Sequence, residues 1–177
     1  KSAVMFAALK TPGITKIKAK KSRDHTEIFL NELKVPIKIK KDKFYDYIEI
    51  KGQTNFKGFT YNVPGDISSS SFFLVLTLLS NNSQLKIKNV NINKSRTGII
   101  EILNKMNAKI LTKNKKKYKG EQIADIIVKS QKNLRGINCP KTFNSSAIDE
   151  FLIIFLVAAK AKGVSSFKDL WELNNKE

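Results

Sequence analysis

The hydrophobic residues of this chain follow an order that predicts repeated structural units. In the first unit, an apolar helix at residues 2–9 precedes residues 14–20, which alternate between apolar and polar as a strand does. A second helix around residues 26–33 follows, and alternating segments at 35–39 and 45–50 predict two more strands. The predicted order is therefore helix, strand, helix, strand, strand.

The same order returns after the turn signal Pro64-Gly65. Serines at 68–71 are expected to cap an apolar helix, and Ser95-Arg96-Thr97 holds the place in this unit that Ser22-Arg23-Asp24 holds in the first. The predicted elements are a helix at 72–79, a strand at 85–90, a helix around Leu103, and strands at 108–112 and 123–128. This internal repeat predicts an α/β protein whose units bury their apolar helices in a common interior.

A third unit begins with a predicted helix at residues 148–161, followed by a predicted strand at 164–167. Asp149 and Glu150 stand where this apolar helix begins. Carboxylates in a first helical turn offset the positive end of the helix dipole, so capping alone would explain both. The alternative is that one of them handles a proton in a cleft.

Composition predicts a folded protein without a metal or a membrane partner. With 41% hydrophobic residues the 177-residue chain can bury a core, and its longest apolar run is shorter than the roughly 18 to 20 residues that cross a bilayer. Cys139 is the single cysteine and His25 the single histidine, so neither a disulfide nor a zinc-ligand set is expected. We expect a soluble, cytoplasmic protein.

The formal net charge of +18 raises the question of nucleic-acid binding. Of the 33 basic residues only Arg23, Arg96 and Arg135 are arginines, and the lysines are scattered apart from one dense run at 113–119. A protein that binds bases more often interleaves arginines and aromatic residues on one face. We therefore expect no nucleic-acid partner, although the charge would attract small anionic substrates. A basic module that binds anions or nucleic acid remains an alternative.

Five segments, in register along the whole chain, carry a family pattern. They are Ser22-Arg23-Asp24-His25-Thr26-Glu27, Val63-Pro64-Gly65-Asp66-Ile67-Ser68-Ser69, Ser95-Arg96-Thr97-Gly98, Ala147-Ile148-Asp149-Glu150-Phe151 and, at the end, Glu172-Leu173 with Lys176-Glu177. Together they resemble the 5-enolpyruvylshikimate-3-phosphate synthase family, also called 3-phosphoshikimate 1-carboxyvinyltransferase, and the first segment favours the class II type.

The resemblance implies a fold and an activity. The fold would be the inside-out α/β barrel of the enolpyruvyl transferases, here incomplete, with residues 1–63 as the last repeat of one lobe and 64–177 as most of the second. The activity would be transfer of the enolpyruvyl group of phosphoenolpyruvate to the 5-hydroxyl of shikimate 3-phosphate, without a cofactor. The complete enzyme would be a monomer well over twice as long, and this chain an internal fragment of it.

The resemblance also assigns roles to five residues. Asp149 corresponds to the aspartate that binds the shikimate hydroxyls and is the proposed proton acceptor. Glu177 corresponds to the glutamate proposed to exchange a proton with the methylene carbon. Lys176 corresponds to a lysine that contacts the substrates and shares the catalytic proton transfer. Arg23 resembles the arginine that binds the phosphate of shikimate 3-phosphate, and Ser22 is a weaker candidate beside it. Glu150 then keeps the capping role.

Other residues have simpler interpretations. We expect Arg96 to be structural and His25 to pack or cap. The segment from Gly65 to residue 71 could cradle a phosphate at a helix N-terminus, but it lacks the glycine spacing and lysine of a P-loop, which favours turn and capping chemistry.

Departures from the family pattern leave an alternative open. Asn174 and Asn175 stand where more basic or aliphatic residues are usual, and Glu172 takes a place where some members have a substrate-binding asparagine. The alternative within the fold is a UDP-N-acetylglucosamine enolpyruvyl transferase, which shares the phosphoenolpyruvate chemistry.

The purified 177-residue chain is expected to show no synthase activity, because the family's further lysines and arginines, which hold two phosphates and a carboxylate, are not in this sequence. The measurement is phosphate release from phosphoenolpyruvate and shikimate 3-phosphate. Turnover by the chain alone would contradict this expectation.

Overall fold

The computed structural model describes residues 1–55 and 57–175. The helix, strand, helix, strand, strand order occurs twice within them and a third unit begins, so the predicted α/β class and its repeat are confirmed. In chain order the elements are α1 (Ser2–Ala8), β1 (Ile14–Lys20), α2 (His25–Glu32), β2 (Ile37–Lys41), β3 (Tyr45–Lys51), α3 (Ile67–Leu79), β4 (Gln84–Asn91), α4 (Gly98–Lys105), β5 (Leu111–Tyr118), β6 (Glu121–Lys129) and α5 (Phe151–Lys160), with 3₁₀ helices at Lys141–Phe143 and Trp171–Asn175.

The chain forms two compact units. The first comprises Lys1–Asn62 together with Tyr118–Glu121, and the second comprises Val63–Lys117 and the chain from Gln122 onward. The assignment of residues 1–63 and 64–177 to two lobes of a longer enzyme stays a prediction.

The first unit is a three-stranded antiparallel sheet in the order β1-β3-β2, with α1 and α2 packed against it. Side chains alternate between the two faces of a strand, and on β3 the inward positions are Asp46, Ile48 and Ile50, all buried. The two isoleucines pack with Met5 and Leu30 of the helices.

An unusual feature of this core is a buried cluster of charges. The Lys1 ammonium lies 2.6 Å from Glu27 Oε1 and 3.2 Å from Asp46 Oδ2, and the three side chains are 6%, 1% and 2% exposed. Beside them the hydroxyls of Ser2 and Thr26 are 2.7 Å apart. This cluster joins the starts of α1 and α2 to the central strand, so it fixes the backbone that leads into α2.

The second unit repeats this plan with a sheet in the order β4-β6-β5 and a larger core. Helices α3, α4 and α5 bury residues such as Leu74, Leu78, Ile102, Phe151 and Ile154, none of which is exposed. Helices α3 and α5 also contact each other. The first helices of two successive repeats are therefore neighbours, as the pattern of apolar helices predicted.

The start of α3 differs in one detail from the sequence-based prediction. The serines at 68–71 lie inside the helix, and the N-cap is Asp66, whose carboxylate accepts hydrogen bonds from Ser69 N at 2.9 Å and Ser69 Oγ at 3.0 Å. Partial burial acts to raise the pKa of Asp66, but these hydrogen bonds and the nearby Arg96 charge outweigh it, so the pKa is lowered. A carboxylate thus occupies this helix N-terminus, in agreement with the predicted capping chemistry.

The starts of two predicted elements were wrong, and one predicted strand does not form. Strand β5 begins at Leu111 rather than 108, because the buried Ala108 and Ile110 belong to the approach to the strand and the lysine run itself forms it. Helix α5 begins at Phe151 because residues 144–150 form turns. Residues 164–167 form no strand: Ser166 makes one isolated bridge to Asn138, and Lys162, just before the segment, makes another to Arg135.

Asp125 connects all three strands of the second sheet. Its carboxylate on β6 lies 2.9 Å from Lys86 Nζ and accepts hydrogen bonds from Asn114 Nδ2 at 2.8 Å and from the backbone of Asn89 at 3.1 Å. The register between β4 and β6 is interrupted between Ile87 and Val90, so the Asn89 amide is turned toward this carboxylate instead of the ladder. The hydrogen bond from Lys86, followed by those from Asn114 and Asn89, lowers the pKa of Asp125 from 3.8 to about 2.

Asp125→Asn is expected to lower the melting temperature at neutral pH. Because the folded-state pKa lies below the unfolded value, the stabilisation is fully present above about pH 4 and is lost as the pH falls toward 2. Thermal unfolding of both proteins across this range should show their difference shrinking with acidification. A difference that does not depend on pH would contradict the ionic origin.

Lys1→Met is expected to reduce the free energy of unfolding by about 3 kcal/mol or more, because it leaves the buried Glu27 and Asp46 carboxylates without their cation. The matched control is Lys16→Met, which removes the same charge from a side chain that is 76% exposed and pairs with Glu49 at 3.6 Å. The control should cost less than about 1 kcal/mol. Equal destabilisation of the two variants in urea unfolding would contradict the role of the buried cluster.

Candidate functional site

Ser22 and Arg23 lie in the loop that connects β1 to α2, and both are exposed. The next residue, Asp24, occupies the N-cap of α2, and its Oδ2 accepts a hydrogen bond from Lys41 Nζ at 2.8 Å. This hydrogen bond is the main reason why the pKa of Lys41 is raised. The loop therefore presents the Arg23 guanidinium at the surface while its neighbours attach it to α2 and β2.

His25 has a defined partner within the first unit. Its Nδ1 lies 2.5 Å from Glu121 Oε1, although the two residues are 96 positions apart in the chain. The local sequence predicted packing or capping for His25. The residue does open α2, but the carboxylate contact came from a distant segment that no local pattern could indicate.

The turn before α5 separates Asp149 from Glu150. Asp149 is exposed, whereas Glu150 is 2% exposed and its carboxylate accepts a hydrogen bond from the Ser68 hydroxyl at the start of α3. Glu150 occupies the N-cap position, but within the described residues its side chain makes no capping hydrogen bond to α5. Glu150 therefore holds the predicted N-cap position, but its side chain turns toward α3 instead of back along its own helix.

Arg96 extends the hydrogen bond between Ser68 and Glu150 into a longer network. Its Nη2 donates to Ser68 Oγ at 2.6 Å and to Asp66 Oδ1 at 2.7 Å, so Ser68 accepts from the arginine and donates to Glu150. The Arg96 side chain is 18% exposed. These contacts support the structural role that we expected for Arg96 from its sequence.

Gly98 allows the start of α4 to approach the turn before α5. A Cβ at this position would lie 2.5 Å from Ser146 Oγ and 2.8 Å from the Ser146 carbonyl carbon, closer than real Cβ contacts. The Gly98 amide donates to the Ser146 carbonyl at 3.2 Å. The glycine of the Ser95-Arg96-Thr97-Gly98 segment thus helps to place the turn that carries Asp149.

The geometry distinguishes the two neighbouring carboxylates. Glu150 is enclosed by a hydroxyl donor and the core, and Asp149 stands beside the N-terminal end of a helix whose dipole favours negative charge. An exposed carboxylate in this position can accept a hydrogen bond from a substrate hydroxyl. It can also take up the proton of that hydroxyl. The other two predicted catalytic residues, Lys176 and Glu177, lie outside the described residues.

Two further observations concern ligands and membranes. Within residues 1–55 and 57–175, no group of three or more His, Cys, Asp and Glu side chains is arranged to hold a metal ion. Across the same residues, no helix combines the length and the apolar character that a membrane span requires.

Sequence reasoning missed the partners that hold the site residues in place. Asp46 lies in phase with Ile48 and Ile50 on β3, and a carboxylate at such an inward position is a signal that could have indicated a buried ion pair. Ser68 carried no comparable signal, since its contact with Glu150 depends on how α3 and α5 pack.

The whole chain matches one protein family. The model of the family described as EPSP synthase (3-phosphoshikimate 1-carboxyvinyltransferase) matches residues 1–177. The relative from Petrotoga mobilis, named 3-phosphoshikimate 1-carboxyvinyltransferase, is 42% identical over 179 residues, covering 100% of this chain and 40% of its own length. The relative of the same name from Bartonella quintana is 41% identical with the same coverage.

The fold agrees with these relatives. A solved structure of EPSP synthase from Acinetobacter baumannii superimposes with a TM-score of 0.89 at 35% identity, covering 100% of this chain and 39% of that one. The predicted fold is confirmed, and the UDP-N-acetylglucosamine enolpyruvyl transferase alternative is not favoured. The chain spans about 40% of the length of the curated relatives it matches. Because the match to the family extends over every residue of the chain, this protein belongs to the EPSP synthase (3-phosphoshikimate 1-carboxyvinyltransferase) family.

Proposed function

We propose that this chain supplies part of the active site of a 3-phosphoshikimate 1-carboxyvinyltransferase, an enzyme of aromatic amino acid biosynthesis through chorismate. Its substrates are phosphoenolpyruvate and shikimate 3-phosphate, and it needs no metal or organic cofactor. The observation that carries the proposal is the exposed Asp149 at the start of α5, next to a Glu150 that is buried and hydrogen-bonded. The proposed reaction needs a carboxylate that substrate can reach, and of these two adjacent acids Asp149 is the exposed one.

In the proposed reaction, the 5-oxygen of shikimate 3-phosphate forms a bond to the central carbon of phosphoenolpyruvate, and the bond from that carbon to the phosphate oxygen breaks. Asp149 binds the shikimate hydroxyls and accepts the proton of the 5-hydroxyl. Glu177 exchanges a proton with the methylene carbon, and Lys176 contacts the substrates. Inorganic phosphate leaves with the proton taken from the 5-hydroxyl, and the proton that Glu177 gives to the methylene carbon returns to Glu177. Atoms and charge therefore balance without an external oxidant or reductant.

Arg23 binds the 3-phosphate of the substrate, with Ser22 beside it. A guanidinium is suited to this role because its planar donors match the oxygen atoms of a phosphate. The exposure of Arg23, at the end of a loop attached through Asp24 and the buried Glu27, supports the assignment. The net charge of +18 would favour the approach of both anionic substrates.

The proposal also assigns the two parts of this chain to the two lobes of the complete enzyme. Residues 1–63 would be the last repeat of one lobe and 64–177 most of the second, which the change of compact unit between Asn62 and Val63 supports. The complete enzyme would act as a monomer in the cytoplasm.

The test is a hybrid enzyme in which this chain replaces the matching 40% of the Petrotoga mobilis relative. Asp149→Asn in the hybrid should reduce kcat by about a hundredfold or more while binding of shikimate 3-phosphate weakens far less, because a proton acceptor typically contributes 10²–10⁴ in rate. Phosphate release gives kcat, and calorimetry gives binding. The matched control is Asp169→Asn, which neutralises a carboxylate that is 59% exposed and paired with Lys141, and which should leave kcat unchanged.

Arg23→Gln provides a second arm of the same test. It should raise KM for shikimate 3-phosphate by at least tenfold and leave KM for phosphoenolpyruvate nearly unchanged. Circular dichroism confirms that each variant is folded. An Asp149→Asn hybrid that turns over at the parental rate, or a folded parental hybrid that binds neither substrate, would overturn the proposal.

A further inference from the structure

The outward face of the sheet in the first unit collects lysines around two tyrosines. On the central strand β3, Tyr45 and Tyr47 point away from the core, since their neighbours Asp46, Ile48 and Ile50 are buried. Residues paired across antiparallel strands lie on the same face. The pairs are Lys16↔Glu49, Lys18↔Tyr47 and Lys20↔Tyr45 with β1, and Lys38↔Glu49 and Lys40↔Tyr47 with β2. We call these two tyrosines and five lysines the tyrosine–lysine face.

Side-chain positions confirm that the groups are interleaved. Lys18 Nζ lies 4.6 Å from the centroid of the Tyr45 ring and 5.7 Å from that of Tyr47. Glu49 is the one carboxylate among the paired outward positions, and it lies 3.6 Å from Lys16. The face therefore carries an excess of positive charge directly beside aromatic rings.

The face continues into a depression at the β2–β3 turn. This depression has a volume of about 440 Å³ and is lined by Lys20, Lys21, Lys43, Phe44 and Tyr45. The Phe44 ring is 64% exposed, and Lys43 Nζ lies 5.4 Å from its centroid. Three aromatic rings, each with a lysine close by, thus follow one another from the turn along the strand.

We propose that the tyrosine–lysine face and the adjoining depression bind single-stranded nucleic acid. Aromatic rings on a sheet can stack on unpaired bases, and lysines beside them neutralise the phosphates. Outward side chains two positions apart on a strand are separated by roughly 7 Å, so that each ring is available to a different base. Duplex nucleic acid and anionic membranes offer charge but no unpaired bases, so they would leave the rings unused.

This inference differs from the expectation drawn from the sequence. Along the chain Lys16, Lys18 and Lys20 lie 25 or more positions before Tyr45, and together with Lys38 and Lys40 they looked scattered. The strand order β1-β3-β2 places the tyrosine strand between the two lysine strands. The interleaving of aromatic and basic residues therefore arises from strand pairing.

Fluorescence anisotropy of a labelled oligo-dT with the purified 177-residue chain tests the proposal. The double variant Tyr45→Val/Tyr47→Val keeps strand propensity and removes both rings, and it should weaken binding by at least tenfold, since each stacked ring is typically worth about 5-fold to 150-fold. The matched control Phe72→Leu/Phe73→Leu removes two exposed rings of α3 and should leave the affinity unchanged.

The charge component has its own pair of variants. Lys18→Gln/Lys40→Gln should make the salt dependence of binding shallower by roughly 0.7 for each phosphate that is no longer neutralised by a lysine. Lys115→Gln/Lys117→Gln removes the same charge from exposed positions of β5 in the second unit and should not change the slope. Circular dichroism establishes that all four variants are folded.

Three outcomes would overturn the proposal. The first is that the parental chain does not bind the oligonucleotide at low salt. The second is that the variants of the tyrosine–lysine face and their controls weaken binding equally. The third is that duplex DNA, polyphosphate or vesicles of anionic lipid bind with equal affinity and the tyrosine substitutions have no effect. The last two would show that net charge alone attracts polyanions.

Discussion

Each unit of this protein buries one face of a three-stranded sheet under helices and leaves the other face in water. The side chains of a strand alternate with a period of two, so the position of a single residue decides which face all its neighbours occupy. In the first sheet this constraint places Ile48 and Ile50 in the core and the half-buried Tyr45 and Tyr47 on the opposite face. The core, the buried charges and the tyrosine–lysine face are all consequences of the same register.

Burial of polar groups determines where the candidate site residues lie. In the first unit Lys1 lies between Glu27 and Asp46, and because unpaired buried charges are costly, this cluster holds the start of α2 in one place. In the second unit, Arg96, Ser68 and Glu150 form a continuous chain of hydrogen bonds between the starts of α3 and α5. In both units the residues proposed to meet substrate stand at the surface next to a buried polar cluster.

The repeat shows how equivalent residues can diverge. Arg23 and Arg96 hold the same place in two successive units, yet Arg23 is exposed, whereas Arg96 is largely buried between Asp66 and Ser68. The difference arises from their surroundings, because the second unit supplies an N-cap carboxylate and a serine within reach of the guanidinium. Position in a repeat therefore predicted the backbone better than it predicted the use of the side chain.

Local patterns were sufficient for most elements. Alternation gave β1 its bounds at Ile14–Lys20, and the apolar run gave α3 its end at Leu79. Local patterns did not predict the bounds of β5, which the lysine run forms. This strand lies at the edge of its sheet, where charged side chains stay in solvent and need no apolar partner. They failed again at 164–167, where single bridges to 135–138 take the place of a ladder.

The sequence by itself determined the α/β class, the repeated order of elements and the family, because these depend on the periodicity of apolar residues and on short segments in register. It also singled out Asp149, since an acid at the start of an apolar helix is visible in the chain. Only the tertiary structure decided that Glu150 turns toward Ser68, that His25 meets Glu121, and that two lysine strands flank Tyr45 and Tyr47. The physical reason is that hydrogen bonds and charge pairs act over a few ångströms in space, and residues that are distant in sequence come within that range only when helices and strands have packed.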